Sequence, residues 1–290
     1  MKLVTFTRHD HTRIGILLDS MGSILDLSVA EPKLPTSMIE FLAAGEQAYS
    51  LAQAALAAAP VNAIIPAGEA TLLAPIPRPG KILCMGHNYL GHSATAPGSL
   101  PEFPNVFLKA SSAVIGPGHP VTITGASSKV DYEGEFCFVI GRTARNVPEE
   151  QAMDYVAGYT ILNDVSARDY ANRVSQWMVG KSFDTFAPLG PALVTKDEVP
   201  DPHNLELILT VNGEVRQHSN TGNTIFSIPF LIAYLSQVMT LEPGDVVSTG
   251  TPSGSGLGMN PPVFLKPGDV VVVKVEKVGE LMNPFAAGAE

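Results

Sequence analysis

Cysteine is nearly absent: Cys84 and Cys137 are the only two in 290 residues, both inside apolar, strand-like runs. A disulfide scaffold is excluded, and buried free thiols of a reducing compartment are expected. No Cys/His pair has zinc-ligand spacing. No apolar run reaches the roughly 18 residues that a membrane-spanning helix needs, and the opening MKLVTFTRHDHTRIG lacks the apolar core of a signal peptide. Basic residues are scarce too, 18 Lys+Arg against 28 Asp+Glu, for a formal charge of −10. With no basic run or aromatic-studded basic stripe, nucleic acid and anionic membrane are excluded as partners. These absences predict a soluble cytoplasmic protein. They have a second consequence. Clustered carboxylates in so acidic a chain cannot all find a Lys or Arg, and a bound cation becomes the alternative counter-charge.

What is present is a turn-rich globular composition: 45% hydrophobic residues, 16% charged, 26 Gly and 24 Pro. The length allows one large domain, or a small one followed by a large one. Residues 2–28 read as short strands (KLVTF, RIGILL, SILDLS). Residues 36–59 have helical spacing, with Ser37 and Glu40 placed as a capping box and an Ala-rich tail. The Pro-rich LLAPIPRPGK reads as a linker, which sets a boundary near residue 75 between a small N-terminal α+β domain (1–75) and a main domain (76–290). From Lys81 onward β-branched and aromatic runs dominate. Asn212-Gly213 between two of them signals a type I′ hairpin. LEPGDVV and LKPGDVV (241–247 and 265–271) are near-copies and read as two similar strand entries. Helices are few, near 148–158, 167–172 and 227–239. The fold class is predominantly β, an α+β arrangement without the strict alternation of a doubly wound sheet.

Two segments carry the chemistry. In VDYEGEFCFVIG, Glu133 and Glu135 lie two residues apart, so a strand would project both to one face. Asp164 follows a second apolar run, GYTILND. Together they make an all-oxygen ligand set suited to Mg²⁺ or Mn²⁺, or to Ca²⁺. The competing reading is an ordinary amphipathic strand with Asp131, Glu133 and Glu135 in water. Against it, both faces turn apolar beyond Glu135, and carboxylates at the mouth of a buried strand repel one another. His92 lies in a Gly/Pro/Ser/Ala-rich segment (91–104) that reads as a lid, where a histidine serves as general base; a surface histidine is the alternative. His87 ranks lower, as a polar lining residue. Lys181, in VGKSFDTFAPLGP, suits a substrate carboxylate or a developing oxyanion; Lys109 is a weaker case of the same kind. The Gly-rich turn at 249–256 lacks the Gly-Lys-Ser/Thr of a phosphate loop, and no strand–turn–helix surrounds its serine, so a serine hydrolase is set aside.

Taken in order, GHNYLGH, FLKASS, DYEGEF, GYTILNDVSARD, GKSFDTFAPLGP, VNGEVRQ, TIFSIPFLIAYLS and LEPGDVVSTGTPSG resemble the fumarylacetoacetate hydrolase family, from about Lys81 to Leu281. The resemblance implies a mixed β-sandwich roll, a homodimer, and Mg²⁺ or Mn²⁺ on Glu133, Glu135 and Asp164. It implies His92 and Lys181 as catalytic residues, with Tyr89 and Thr251 as substrate contacts. Two positions depart from the pattern: Thr95 stands where acylpyruvate-cleaving members pair a glutamate with the lid histidine, and Ala171 where several members have glutamine. The leading expectation is a hydrolase that cleaves a C–C bond in an acylpyruvate-like 1,3-dicarbonyl acid through a metal-bound enolate. The alternative, toward which Thr95 tilts the balance, is oxaloacetate decarboxylation or keto–enol isomerisation at the same site. A non-enzymatic binding protein is the remote third. The small keto-acid substrate itself is not fixed, although the absence of Lys and Arg from 91–104 points to an uncharged distal end.

Overall fold

The computed structural model describes residues 1–91 and 100–288, and among these the chain is mostly sheet. A long mixed sheet runs from the N-terminal strands through Lys2–Arg8, Ala187–Thr195, Val156–Asn163, Gly134–Ile140, Val246–Ser248 and Ile82–Gly86 to Asn105–Lys109. A second, five-stranded sheet is built from Glu214–Asn220, Glu206–Val211, Val270–Val275, Gly279–Ala287 and Val121–Ile123. Strand Gly134–Ile140 is buried along its whole length because both its faces are covered. Phe136, Phe138 and Ile140 join the core between the two sheets, together with Leu207, Val273 and the helix residues Leu231 and Leu235. Cys137 and Val139 face the other way, into a core shared with Phe41, Ala52 and Leu193. A strand buried on both faces reads as a continuous apolar run, as FCFVI does.

The N-terminal strands continue this sheet, since Lys2 and Leu3 pair with Val194 and Leu193. The Pro-rich stretch at residue 75 is likewise packed in: Ala74 and Ile76 are buried, and the Pro75 carbonyl accepts a hydrogen bond from the Thr5 hydroxyl at 2.7 Å. The helical segment 36–59 divides into Met38–Ala43 and Gly45–Ala58, with Gly45 at φ +62° between them. Ser37 occupies the N-cap position but forms no side-chain cap bond. The segment after Pro148 is a 3₁₀ helix, Glu149–Tyr155. At 227–239 the helix is Ile228–Val238, capped by the Ser227 hydroxyl.

Two local readings are met in detail. Asn212 and Gly213 both take positive φ (52° and 83°), the type I′ requirement, between the paired strands Glu206–Val211 and Glu214–Asn220. The two PGD copies fold alike. In each the glycine is left-handed (Gly244 +90°, Gly268 +95°). In each the aspartate accepts the backbone N–H three residues back, Glu242 to Asp245 at 2.7 Å and Lys266 to Asp269 at 2.9 Å. The first turn feeds the buried strand Val246–Ser248 and the second the half-buried strand Val270–Val275.

One of the two strands that carry the site, Val156–Asn163, is held against its other neighbour, Ala187–Thr195, by a close backbone approach. Gly158 opposes Thr195, and a Cβ on it would fall on the Val194 carbonyl oxygen, which is backbone and cannot rotate away. Gly158→Ala is therefore expected to lower stability by about 2–3 kcal/mol through overpacking, measured by urea denaturation; an unchanged midpoint would show that the two strands can part without cost.

Candidate active site

The strand that ought to carry both glutamates is interrupted. Val130–Asp131 pairs with Ser166–Ala167, and a separate strand begins at Gly134. Glu133 thus lies in the break, while Glu135 is inside the second strand. The neighbouring chain fills the gap: the Glu133 N–H donates to the Asn163 side chain at 3.1 Å, and the Asp164 N–H to the Glu133 carbonyl at 2.8 Å. Gly134 pairs with Asn163, so the ends of two antiparallel strands bring Glu133, Glu135 and Asp164 together. All three are buried, at 6%, 1% and 0% exposure, which rules out the solvated amphipathic strand.

Their counter-charges come from three other segments. Lys181, at the end of the short helix Met178–Lys181, places its ammonium 2.5 Å from both Glu133 Oε2 and Asp164 Oδ2. Lys109, the last residue of its strand, donates to Asp164 Oδ1 at 2.6 Å and to the Val165 carbonyl at 3.1 Å. Arg168 opens the helix Arg168–Ala171 and donates to Glu133 Oε1 at 2.6 Å and Asp131 Oδ2 at 2.8 Å. Asp131 also accepts the backbone N–H groups of Tyr132, Gly256 and Leu257 at 2.9, 2.7 and 3.0 Å. It thereby ties the Gly-rich loop to the site.

Four carboxylates therefore meet three cations, an excess of one negative charge in a buried cluster. That excess is relieved at Glu135, which retains its proton. Burial, then the nearby Asp164 and Glu133, push its carboxyl well above the usual range; a short hydrogen bond from the Ser248 hydroxyl and the more distant Lys181 do not reverse this. Glu133 goes the other way: burial opposes its charge, but Arg168 and Lys181 outweigh it and hold the carboxyl far below the ordinary range. Lys181 is likewise penalised by burial, yet Asp164 and Glu133 raise it further into its charged form. Pairs of this kind add little net stability, though breaking one leaves an uncompensated buried charge.

A cavity of about 400 Å³ opens over the cluster. Glu133, Glu135, Arg168 and Lys181 give its lining charge and Met85, Phe107 and Trp177 apolar surface, with the Lys181 ammonium 5.0 Å from the Phe107 ring centroid. Trp177 meets Phe107 and His87 edge-on at 5.5 and 5.4 Å. His87 lines the cavity from a left-handed backbone position, φ +56°. Thr251 lines it too, with its hydroxyl donated to the Gly134 carbonyl at 2.9 Å and accepting from Gln217 at 2.9 Å. Tyr89, expected to contact substrate, is fully buried and does not line the cavity; its segment bridges to Thr224. His92 and Thr95 lie outside the described residues, and Glu102 is exposed. Ala171 lines the cavity at the position where several family members have glutamine.

Sequence reasoning did not assign Arg168, Asp131, Ser248 or Cys84. Arg168 carried a usable signal: in a chain so poor in basic residues, an arginine four positions after a predicted ligand is a candidate partner. Ser248 and Cys84 carried none, because only sheet pairing sets them beside Glu135. The closest grouping of metal-ligating atoms among the described residues is Glu135, Asp164 and Cys84, all within 4.8 Å of one another; the oxygens of Glu133 turn toward Arg168 and Lys181 instead.

Comparison with known proteins agrees with this architecture. The family profile described as "Fumarylacetoacetate (FAA) hydrolase C-terminal" matches residues 81–286. A Xenopus laevis protein named as a mitochondrial oxaloacetate tautomerase is 46% identical over 288 residues, covering 98% of this chain and 90% of that one. The Homo sapiens oxaloacetate tautomerase is 44% identical, covering 98% and 91%. Among solved structures, the fumarylacetoacetate hydrolase of Exiguobacterium antarcticum superposes with a TM-score of 0.86 at 35% identity, covering 99% of this chain and 100% of that one. The maleylpyruvate hydrolase of Sphingobium sp. SYK-6, in complex with manganese(II) ion and pyruvate, gives 0.82 at 33% identity over the whole of both chains. With its fold, its ordered motifs and its buried acidic site, the chain belongs to the fumarylacetoacetate hydrolase family and is an enzyme of that family.

Proposed function

We propose that this enzyme interconverts the keto and enol forms of oxaloacetate or a closely similar 2-oxo acid. Lys181 carries the reading: a charged ammonium buried on the cavity floor between Glu133 and Asp164, where an enolate oxygen would need a positive group. Tautomerisation moves a proton between carbon and oxygen and requires no positioned water. Relatives 44–46% identical, named for this reaction, support it. Hydrolysis of an acylpyruvate, the leading expectation from sequence, is the second reading, favoured by the likeness to maleylpyruvate hydrolase. It needs a water activated by His92, and Thr95 cannot orient that histidine as an acid would.

A divalent cation, Mg²⁺ or Mn²⁺, belongs to the proposal. The residues fit it: Glu135 is a buried carboxyl with no salt bridge among the described residues, in a cluster where acidic groups outnumber basic ones by one. Glu133, Glu135 and Asp164 would hold the ion, an oxygen set suited to a hard cation. When bound, it would supply Lewis-acid polarisation of a chelated 2-oxo acid. Arg168 keeps Glu133 ionised and oriented, Lys181 faces the substrate oxygen, and His92 is assigned as the base that carries the proton. Thr251 contacts the substrate from the opposite wall. The assignment includes a cytoplasmic homodimer, supported by the two buried free thiols and by the exposed Val174 and Val179 near the cavity.

Three outcomes test this. With Mg²⁺ or Mn²⁺ the protein is expected to accelerate ketonisation of enol-oxaloacetate, followed by the loss of enol absorbance, without releasing pyruvate. Pyruvate from acetylpyruvate at a comparable rate would instead establish the hydrolase. Lys181→Met is expected to lower kcat about 10²–10³-fold while Mn²⁺ binding holds or tightens, since a competing cation is removed; an unchanged kcat would remove Lys181 from the chemistry. Finally, because the raised Glu135 carboxyl holds its proton until the cation displaces it, Mn²⁺ affinity should rise with pH through the acid range and proton release should accompany binding. Glu135→Ala should abolish binding; wild-type affinity in that variant would overturn the ligand assignment.

A further inference from the structure

The Cys84 thiol has no part in the proposed reaction, yet it points into the same buried cluster. Strand pairing sets it there. Cys84, Ser248 and Cys137 stand in one row across three adjacent strands, and the Ser248 hydroxyl binds Glu135. Cys84 is 0% exposed, and its sulfur forms no hydrogen bond among the described residues. Ligand atoms of Cys84, Glu135 and Asp164 all lie within 4.8 Å of one another. A second buried polar group sits close by. The Tyr89 hydroxyl is fully enclosed beside Thr249 and near enough to Glu135 to feel its charge.

We propose that Cys84, Glu135 and Asp164 form a binding site for thiophilic divalent cations of the Zn²⁺ and Cd²⁺ class, overlapping the hard-cation site and excluding Mg²⁺ or Mn²⁺ from it. The geometry permits it. Three atoms no more than 4.8 Å apart share a centre at most about 2.8 Å from each, and shifts of roughly 0.5–0.8 Å bring them to Zn–S and Zn–O bond lengths. One sulfur and two carboxylates give three protein ligands, with the fourth place left to water, as in open zinc sites. Hard and soft cations then part by ligand choice. Mg²⁺ and Mn²⁺ take oxygens and have no use for a neutral thiol, whereas Zn²⁺ and Cd²⁺ displace the thiol proton into solvent and bind the thiolate. The shared carboxylates make the two modes mutually exclusive. Both Asp164 oxygens also accept from Lys109 and Lys181, so a cation on Cys84, Glu135 and Asp164 would displace one of these ammonium contacts. Substrate chelation from the cavity is then lost.

The test titrates the intact protein with Cd²⁺ and reads the ultraviolet thiolate-to-cadmium charge-transfer band, while Mn²⁺ binding is followed in parallel by electron paramagnetic resonance. The wild type should develop the band at one equivalent and release its bound Mn²⁺ as it does so. In Cys84→Ser the band should vanish and Cd²⁺ affinity fall about 100-fold relative to Mn²⁺. Cys137→Ala removes the other buried thiol of the row and should retain the band. A band that survives Cys84→Ser, or one lost only in Cys137→Ala, overturns the site. So does Cd²⁺ binding that leaves Mn²⁺ in place. Should Cys84→Ser fail to fold, the Mn²⁺ signal of the wild type decides alone: displacement by one equivalent of Cd²⁺ with the band supports the site, and displacement without the band refutes it. A band in a protein that binds no Mn²⁺ would uphold this site while refuting the hard-cation reading given above.

Discussion

The structure is organised around one electrostatic constraint: four buried carboxylates and three buried cations at the open end of the strand pair Gly134–Ile140 and Val156–Asn163. Such groups leave water at a cost of several kcal/mol each, and only close pairing returns it. Every segment near the site is consequently fixed by a charge. Lys109 anchors the end of its strand, Lys181 the short helix before the long central strand, and Arg168 the helix that follows Asp164. Asp131 extends the same network to the Gly-rich loop by accepting two of its backbone N–H groups. The acidic group left over is Glu135, which no ammonium or guanidinium pairs among the described residues and which burial keeps protonated.

The sheet makes this arrangement affordable. Strand Gly134–Ile140 has apolar cover on both faces, so the carboxylates at its entrance are embedded in a rigid, dry wall. The cavity above joins two kinds of lining, the charged Lys181, Arg168 and glutamates and the apolar Met85, Phe107 and Trp177. A small 2-oxo acid would direct its polar end at the charges and its carbon chain along the aromatic wall. Chemistry that proceeds by building an enolate would fit a site with buried ammonium and guanidinium groups beside an unpaired acid.

Glu133, Glu135 and Asp164 present carboxylate oxygens to one cluster, and a neighbouring strand brings the Cys84 sulfur within 4.8 Å of oxygens of Glu135 and Asp164. Oxygens suit a hard cation and a thiol a soft one, so the same cluster would answer to both through Glu135 and Asp164.

Much was legible in the chain itself. The type I′ turn at Asn212-Gly213 and the twin PGD turns followed from residues whose backbone preferences are local. The acidic cluster was legible because the positions of its members relative to apolar runs, and the scarcity of basic residues, are properties of the sequence. The ordered motifs fixed the family. Other features are not local and were decided by tertiary structure. The break in the strand at Tyr132–Glu133 depends on Asn163 and Asp164 arriving from a neighbouring strand to take up the backbone groups. The N-terminal strands extend the main sheet because Leu3 finds Leu193, a pairing across 190 positions. Cys84, Ser248 and Arg168 belong to the site only through sheet register and helix placement. Sequence settles which groups must be buried together and what charge they carry; packing alone settles which partner each receives, because counter-charges are chosen by distance in space.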